Sequence, residues 1–320
     1  MPLNKISLHS SALIAALLLT TPALGQEVST FATDKFAAAE AQLDFTDTRD
    51  FERARRGYLG TLETFPIPGA EGAPVPAFDP TSFDFLKGDR PGTVHPALWR
   101  QSQLNAMHGL FEVTDGIYQV RGFDLSNISF IRGDTGWIVV DPLITREAAT
   151  AALQLVNDTL GERPVSAVIF THSHVDHYGG VRGVVPEGAD IPIIAPANFV
   201  VESVSENILA GNAMSRRASY MFGGLLPKSP TAMVGAGLGP GISNGTPGVL
   251  VPTLDISNGF ETHRIDGVEI EFMLTQGAEA PSEFMFYLPK ARAFMQAEII
   301  NHTLHNLYTP RGAKVRDGRL

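Results

Sequence analysis

The 320-residue sequence contains no cysteine. Disulfides are therefore excluded, and any metal must be held by His, Asp or Glu. Positive charge is scarce. Lys and Arg number 24 against 34 Asp and Glu, a formal net charge of −10. A nucleic-acid binder normally presents a basic face, so that class of partner is not expected. Small anionic substrates stay open, because one local metal cluster outweighs a diffuse negative surface. Long apolar runs are also missing, apart from Ser11 to Leu19, which follows the lone charge of Lys5. That run is too short for a comfortable bilayer span. Small residues at Ala23 and Gly25 suggest cleavage before Gln26. Residues 1–25 are thus expected to be an export signal, and the protein periplasmic or secreted, with no stable membrane span.

Hydrophobic residues make up 44% of the chain, which excludes a disordered reading and allows a substantial core. Thr30 to Arg56 carries helical patterning, with Phe31, Phe36, Ala39 and Leu43 near helical spacing. Pro66, Pro68, Pro74, Pro76 and Pro80 then break the chain, and Trp99 to Asn105 begins a short helix. Residues 26–108 read as an extension covering one face of a main domain at 109–320. Glu112 to Val120 predicts two strands around a turn at Asp115-Gly116. Ile128 to Ile131 and Trp137 to Asp141 flank a hairpin turn at Gly133–Gly136. A helix over Arg146–Leu160 and a buried strand over Val165–Phe170 follow. Asn198 to Met214 reads as a helix, and the Gly- and Pro-rich stretch from Gly223 to Gly248 as a long loop. Strands resume at Val268–Met273 and Phe284–Leu288. The order predicts a mixed α/β domain.

The sharpest local signal is Thr171-His172-Ser173-His174-Val175-Asp176-His177-Tyr178-Gly179-Gly180. Three imidazoles and a carboxylate fall within residues 172–177, in a loop after a buried strand. His172 and His174 can close on one ion, with Asp176 and His177 placed for a neighbour. Zinc accepts imidazole nitrogen and carboxylate oxygen, so the ligand chemistry fits. Gly179-Gly180 lets the chain turn tightly. Two ions need more than four ligands, so further carboxylates must come from elsewhere.

Several stretches occur together in order: Arg121 to Asn127, the H-x-H-x-D-H loop, Tyr220 to Pro227, Glu279 to Glu283, Ala297-Glu298, His302 to Tyr308, and Arg311 to Ala313. In these, over about residues 90–320, the chain resembles the alkyl/aryl-sulfatase family (linear alkylsulfatases) of the metallo-β-lactamase superfamily. The resemblance implies an αβ/βα sandwich and a zinc-dependent hydrolase that converts a small amphiphilic sulfate ester to alcohol and inorganic sulfate. It implies two zinc ions. His172, His174 and Glu283 would hold the first. Asp176 and His177 would help to hold the second, and Glu298 would lie between the two or on the second. In many relatives outside the sulfatases a His takes the place of Glu283. Glu279 is expected to stand behind the ligands at most. For the sulfate group, Arg311 offers a planar fork of donors, with Asn127, Tyr220 and His302 as further candidates. Met214, Met221, Phe222, Leu225, Leu226 and Met233 either wall an alkyl channel or are plain core. His263 and His305 have no assigned role; His263 is expected just before a strand, exposed.

The family implies one more His ligand well downstream of Glu298, and no His follows His305. It also implies a helical dimerisation domain, a sterol-carrier-like domain and a homodimer in its full-length form. The metallo-β-lactamase-fold domain is accordingly expected to be incomplete, and the chain alone to show little activity. Another hydrolase of the same fold, acting on a lactam, lactone, thioester or phosphoester, and an inactive homologue remain as alternatives.

Overall fold

Residues on the central strands alternate between two cores. Trp137 and Val139 face one, Ile138 and Val140 the other; likewise Val168 and Phe170 against Ala167 and Ile169. Such a strand is buried on both faces, which explains its continuous apolar, β-branched run. The computed structural model describes residues 28–300. The expected export signal, His302, His305 and Arg311 lie outside the described residues.

In chain order the elements are α1 (Thr30–Gln42), α2 (Arg49–Arg55), β1 (Tyr58–Gly60) and α3 (Pro96–Asn105). Strands β2 (Gly109–Thr114), β3 (Ile117–Arg121), β4 (Ile128–Arg132) and β5 (Trp137–Val140) follow. Then come α4 (Arg146–Leu160), β6 (Val165–Ile169), β7 (Ile193–Pro196), α5 (Phe199–Val204) and α6 (Gly211–Met221). The described chain closes with β8 (Leu254–Ile256), β9 (Phe260–Ile265), β10 (Val268–Leu274), β11 (Phe284–Leu288) and β12 (Ala293–Met295). Strands β1 to β8 form one sheet in sequence order, antiparallel as far as β5 and parallel from β5 to β8. A second, antiparallel sheet runs β12-β11-β10-β9.

The sheets pack face to face. Ile138, Val140 and Ile169 of the first meet Ile270, Phe272, Phe284 and Phe286 of the second. Burying each of these side chains contributes about 1.5–3 kcal/mol relative to exposure. On the outer face of the larger sheet, α4 lays down Ala148, Ala149, Ala152, Leu155 and Val156, all buried. Its start is capped by the Thr145 side chain accepting from the Ala148 amide, and its end by Gly161 at φ 94°. Ile67, Phe78, Phe83, Leu86 and Trp99 join the same core. This is the α/β, αβ/βα sandwich that the resemblance implies.

The helical patterning of Thr30 to Arg56 is realised as α1 and α2, with Leu43 extended between them. Two sequence expectations are corrected. The helix expected over Asn198–Met214 is α5, a π-helical turn at Ser205–Leu209 and α6, which runs on to Met221. His263 lies within β9 and is half-buried, its Nε2 donating to Glu261 Oε2 at 2.9 Å.

Candidate metal centre

Parallel strands deliver their C-terminal ends to one edge of a sheet, where loops collect side chains. Asp141 follows β5 directly, and Thr171-His172-Ser173-His174 follows β6. From the second sheet, the β10–β11 connection brings Glu279 and Glu283, and the chain after β12 brings Glu298. The two layers are stitched at this edge. His172 pairs with Glu283 as an isolated β-bridge. The amide of Phe284 donates to Thr171 O at 3.0 Å, and that of Ser173 to Ser282 O at 3.2 Å. Two glycines allow the loop to close beneath. A Cβ at Gly179 would lie 2.2 Å from Ile144 O, and one at Gly180 2.1 Å from Pro142 O.

His172 Nε2 lies 3.0 Å from His174 Nδ1, and the His172 and His177 ring centroids are 4.0 Å apart. Glu279 Oε2 is 3.0 Å from His174 Nδ1 and 3.6 Å from His172 Nε2. Glu298 straddles the cluster: Oε2 is 3.7 Å from His172 Nε2, and Oε1 is 3.6 Å from His177 Nε2. Asp176 Oδ2 stands 3.3 Å from His177 Nε2. Donor atoms of His172, His174, Glu279 and Glu298 all lie within 4.8 Å of one another, as do those of Asp176, His177 and Glu298. Glu298 is common to both sets.

Glu279, rather than Glu283, presents its carboxylate to His172 and His174. Glu283 is fully buried behind them, and its Oε2 accepts from the amides of Glu279 at 2.8 Å and Ala280 at 3.0 Å. Those two donors hold Glu283 inside its own loop and orient Glu279 toward the imidazoles. Asp141 is a further participant the sequence did not reveal. Its Oδ1 accepts from the Thr171 amide at 2.8 Å; its Oδ2 accepts from Thr171 Oγ1 at 2.7 Å and from His177 Nδ1 at 2.9 Å. The proton on His177 is thereby held at Nδ1, and Nε2 faces Asp176 and Glu298.

The electrostatics call for a cation. Asp141, Glu279 and Glu283 are buried, and Asp176 and Glu298 nearly so. Carboxylates gathered this closely out of water repel one another, which is costly without a countercharge. Burial pushes the Glu283 carboxyl well above its ordinary range, and Glu279 beside it adds to the shift. Burial works against ionised Asp176, yet His177 outweighs it and holds the carboxyl low. Burial likewise opposes His177 cation formation, but Asp176, Asp141 and Glu298 raise it well above the usual imidazole value. Nε2 of both His174 and His177 is buried with no hydrogen-bond partner. Imidazole nitrogens and carboxylate oxygens at this separation fit a divalent metal pair.

A cavity of about 210 Å³ opens from this cluster. His174, Asp176, Glu206, Asn207, Arg217 and Glu298 supply its polar lining. Leu125, Ile144, Val175, Met214, Ala218, Phe222, Leu238 and Ile242 supply the apolar part. Met214 and Phe222 thus wall the cavity, whereas Met221, Leu225 and Leu226 are exposed and Met233 is core. Two expected sulfate contacts are not brought in. Tyr220 is 87% exposed, because Met214, Ala218 and Phe222 turn the opposite face of α6 inward. Asn127 is exposed, since its neighbour Ser126 takes the inward position and donates to Asp176 O. Glu206, Asn207 and Arg217 escaped the sequence reading. Glu206 and Asn207 lie in the π-helical turn, a feature frequent at functional sites, and Glu206 Oε2 is 3.7 Å from His174 Nε2.

The chain is similar to known proteins over most of its length. Residues 121–210 match the metallo-β-lactamase superfamily. A linear primary-alkylsulfatase from Pseudomonas sp. is 46% identical over 96% of this chain and 47% of its own length. The alkyl/aryl-sulfatase BDS1 of Saccharomyces cerevisiae is 48% identical over 87% of this chain and 43% of its own. The solved structure of the stereoselective inverting sec-alkylsulfatase Pisa1 from Pseudomonas sp. superposes with a TM-score of 0.86 at 40% identity, covering 92% of this chain and 47% of that one. The chain spans about half the length of the curated relatives it matches. Its sequence identity across nearly every described element, with the shared fold, shows that the chain belongs to the alkyl/aryl-sulfatase family of the metallo-β-lactamase superfamily.

Proposed function

We propose that this chain carries the two-zinc centre of a protein that hydrolyses alkyl sulfate esters to an alcohol and inorganic sulfate. The observation that carries the reading is the joining of a His/Asp/Glu cluster to a largely apolar cavity in one site. An amphiphile with an anionic head and an alkyl tail matches that division. The similar proteins are primary, secondary and alkyl/aryl sulfatases, which supports the same substrate class.

A bound zinc pair would supply a water ionised near neutral pH and positive charge for the departing oxyanion. His172, His174 and Glu279 would hold one ion, Asp176 and His177 the other, with Glu298 between. Asp141 fixes the His177 tautomer, and Glu283 fixes the loop that carries Glu279. Leu125, Met214 and Phe222 exclude water around the tail. Residues 1–25 would direct the chain out of the cytoplasm; no helix of the described residues is long and apolar enough to cross a membrane.

The test is substrate competition on the zinc-loaded chain. Sulfate release from dodecyl sulfate should exceed hydrolysis of a β-lactam, lactone, thioester or phosphoester, stop with a chelator and return with zinc. Faster turnover of any of those other substrates overturns the reading.

A further inference from the structure

Asp176, Glu206 and Glu298 line the cavity. The ions proposed above would offset Asp176 and Glu298, whereas Glu206 stands on the wall where an anionic ester must pass. Among the described residues lining it, Arg217 is the one Lys or Arg side chain. Arg217 lies on α6 between Met214 and Ala218, three residues after the first and one before the second. Three residues apart, Met214 and Arg217 are neighbours on the helix surface, and Ala218, four after Met214, flanks Met214 on its other side. The guanidinium is half-buried, with Nε and Nη1 screened from solvent. Its neighbour Arg216 points outward and is exposed.

We propose that Arg217 is a sulfate-recognising residue, which receives the ester's anionic head while Met214 and Ala218 of the same helix, with Phe222 at its C-terminal cap, receive the tail. The inference rests on the sulfate-ester reading above and gives it a named determinant. A planar guanidinium can donate two parallel hydrogen bonds to two sulfate oxygens. One helix then sets the distance between the head and the first carbons of the chain. The π-helical turn before α6 sets the rotation of that helix, and hence which of Arg216 and Arg217 faces inward. Arg217 is a binding residue here. It forms and breaks no bond.

The experiment measures binding of decanesulfonate, which keeps the charge and tail but has no ester oxygen to cleave, and of neutral 1-decanol. Both are titrated into the full chain by calorimetry, with zinc content determined for each sample. Arg217→Gln should weaken sulfonate binding roughly ten- to a hundredfold, as expected for a lost charged hydrogen-bond pair. It should leave decanol binding and zinc content within about twofold. Arg217→Lys should recover part of the sulfonate affinity, since the charge remains without the fork. Arg216→Gln should change nothing. Equal losses for sulfonate and decanol, an unchanged sulfonate affinity in Arg217→Gln, or no sulfonate binding by the parent chain would each overturn the proposal. If Arg217→Gln fails to fold, Arg217→Lys decides by the same ratio of sulfonate to decanol affinity. A parent chain that binds sulfonate through Arg217 yet, loaded with zinc, hydrolyses a β-lactam, lactone, thioester or phosphoester faster than dodecyl sulfate refutes the sulfate-ester hydrolysis reading alone.

Discussion

Asp141 Oδ2 accepts the Nδ1 proton of His177 at 2.9 Å, and the same carboxylate holds both the amide and the hydroxyl of Thr171. One residue at the end of β5 therefore orients the loop that follows β6. Asp141→Ala should keep the fold but leave His177 free to rotate and to change tautomer. Zinc affinity is expected to fall about ten- to a hundredfold, measured by competition with a chromogenic chelator. Unchanged affinity would mean that Thr171 and the backbone hold the loop without it.

Glu279 and Glu283 should separate cleanly. Glu279→Gln removes a carboxylate oxygen 3.0 Å from His174 Nδ1 and should lower zinc content. Glu283→Gln keeps an acceptor for the amides of Glu279 and Ala280 and should retain zinc. Glu283→Ala strands those amides and should cost about 1–3 kcal/mol in urea unfolding. Equal zinc loss in the two Gln variants would return Glu283 to the ligand set.

Asp124 ties three cavity walls together. It accepts from the amides of Leu125, Ile144 and Ser243 and from Ser243 Oγ. Burial pushes its carboxyl up to about 6 from 3.8, against the pull of those donors. A folded-state value above the unfolded one means the native protein holds the proton more tightly. The stability that this group contributes is then present below about 3.8, declines as pH rises to about 6, and is level above that. Asp124→Asn cannot ionise. Relative to the parent it should gain up to about 3 kcal/mol between these limits, read from urea unfolding across the pH range. A parent–variant difference that stays flat would show that the donors, not burial, govern Asp124.

Gly180→Ala should be destabilising although its backbone conformation is ordinary. The new methyl would meet Pro142 O, Thr145 O and Ala149 Cβ at 2.1–2.8 Å. Overpacking of this kind costs about 1–3 kcal/mol. Gly161→Ala provides the contrast, since nothing lies within 4 Å there and only its φ of 94° resists substitution. Zinc loss in Gly180→Ala at temperatures where the protein stays folded would locate the strain in the ligand loop.

The parts of the site that could be read directly were those written in adjacent residues. His172, His174, Asp176 and His177 share one loop, and the apolar run before them announces the strand. The central strands and α4 were legible for the same reason, because a local pattern decides each. Glu279 was not, because choosing between it and Glu283 depends on which carboxylate the β10–β11 connection turns back onto its own amides. Asp141 sits 31 residues before His172 and meets it only through the parallel pairing of β5 with β6. Arg217 faces the cavity and Tyr220 faces away from it because the π-helical turn sets the rotation of α6, and no periodicity in the sequence marks that turn.

Glu298 reaches His172 with one oxygen and His177 with the other, from the far end of the second sheet. A cation gripped by Glu279, Glu298 and the imidazoles would act as a rivet through two plates. Its affinity and the adhesion of the two layers would be a single equilibrium, so that prising the sheets apart at this edge and stripping the ion become the same event.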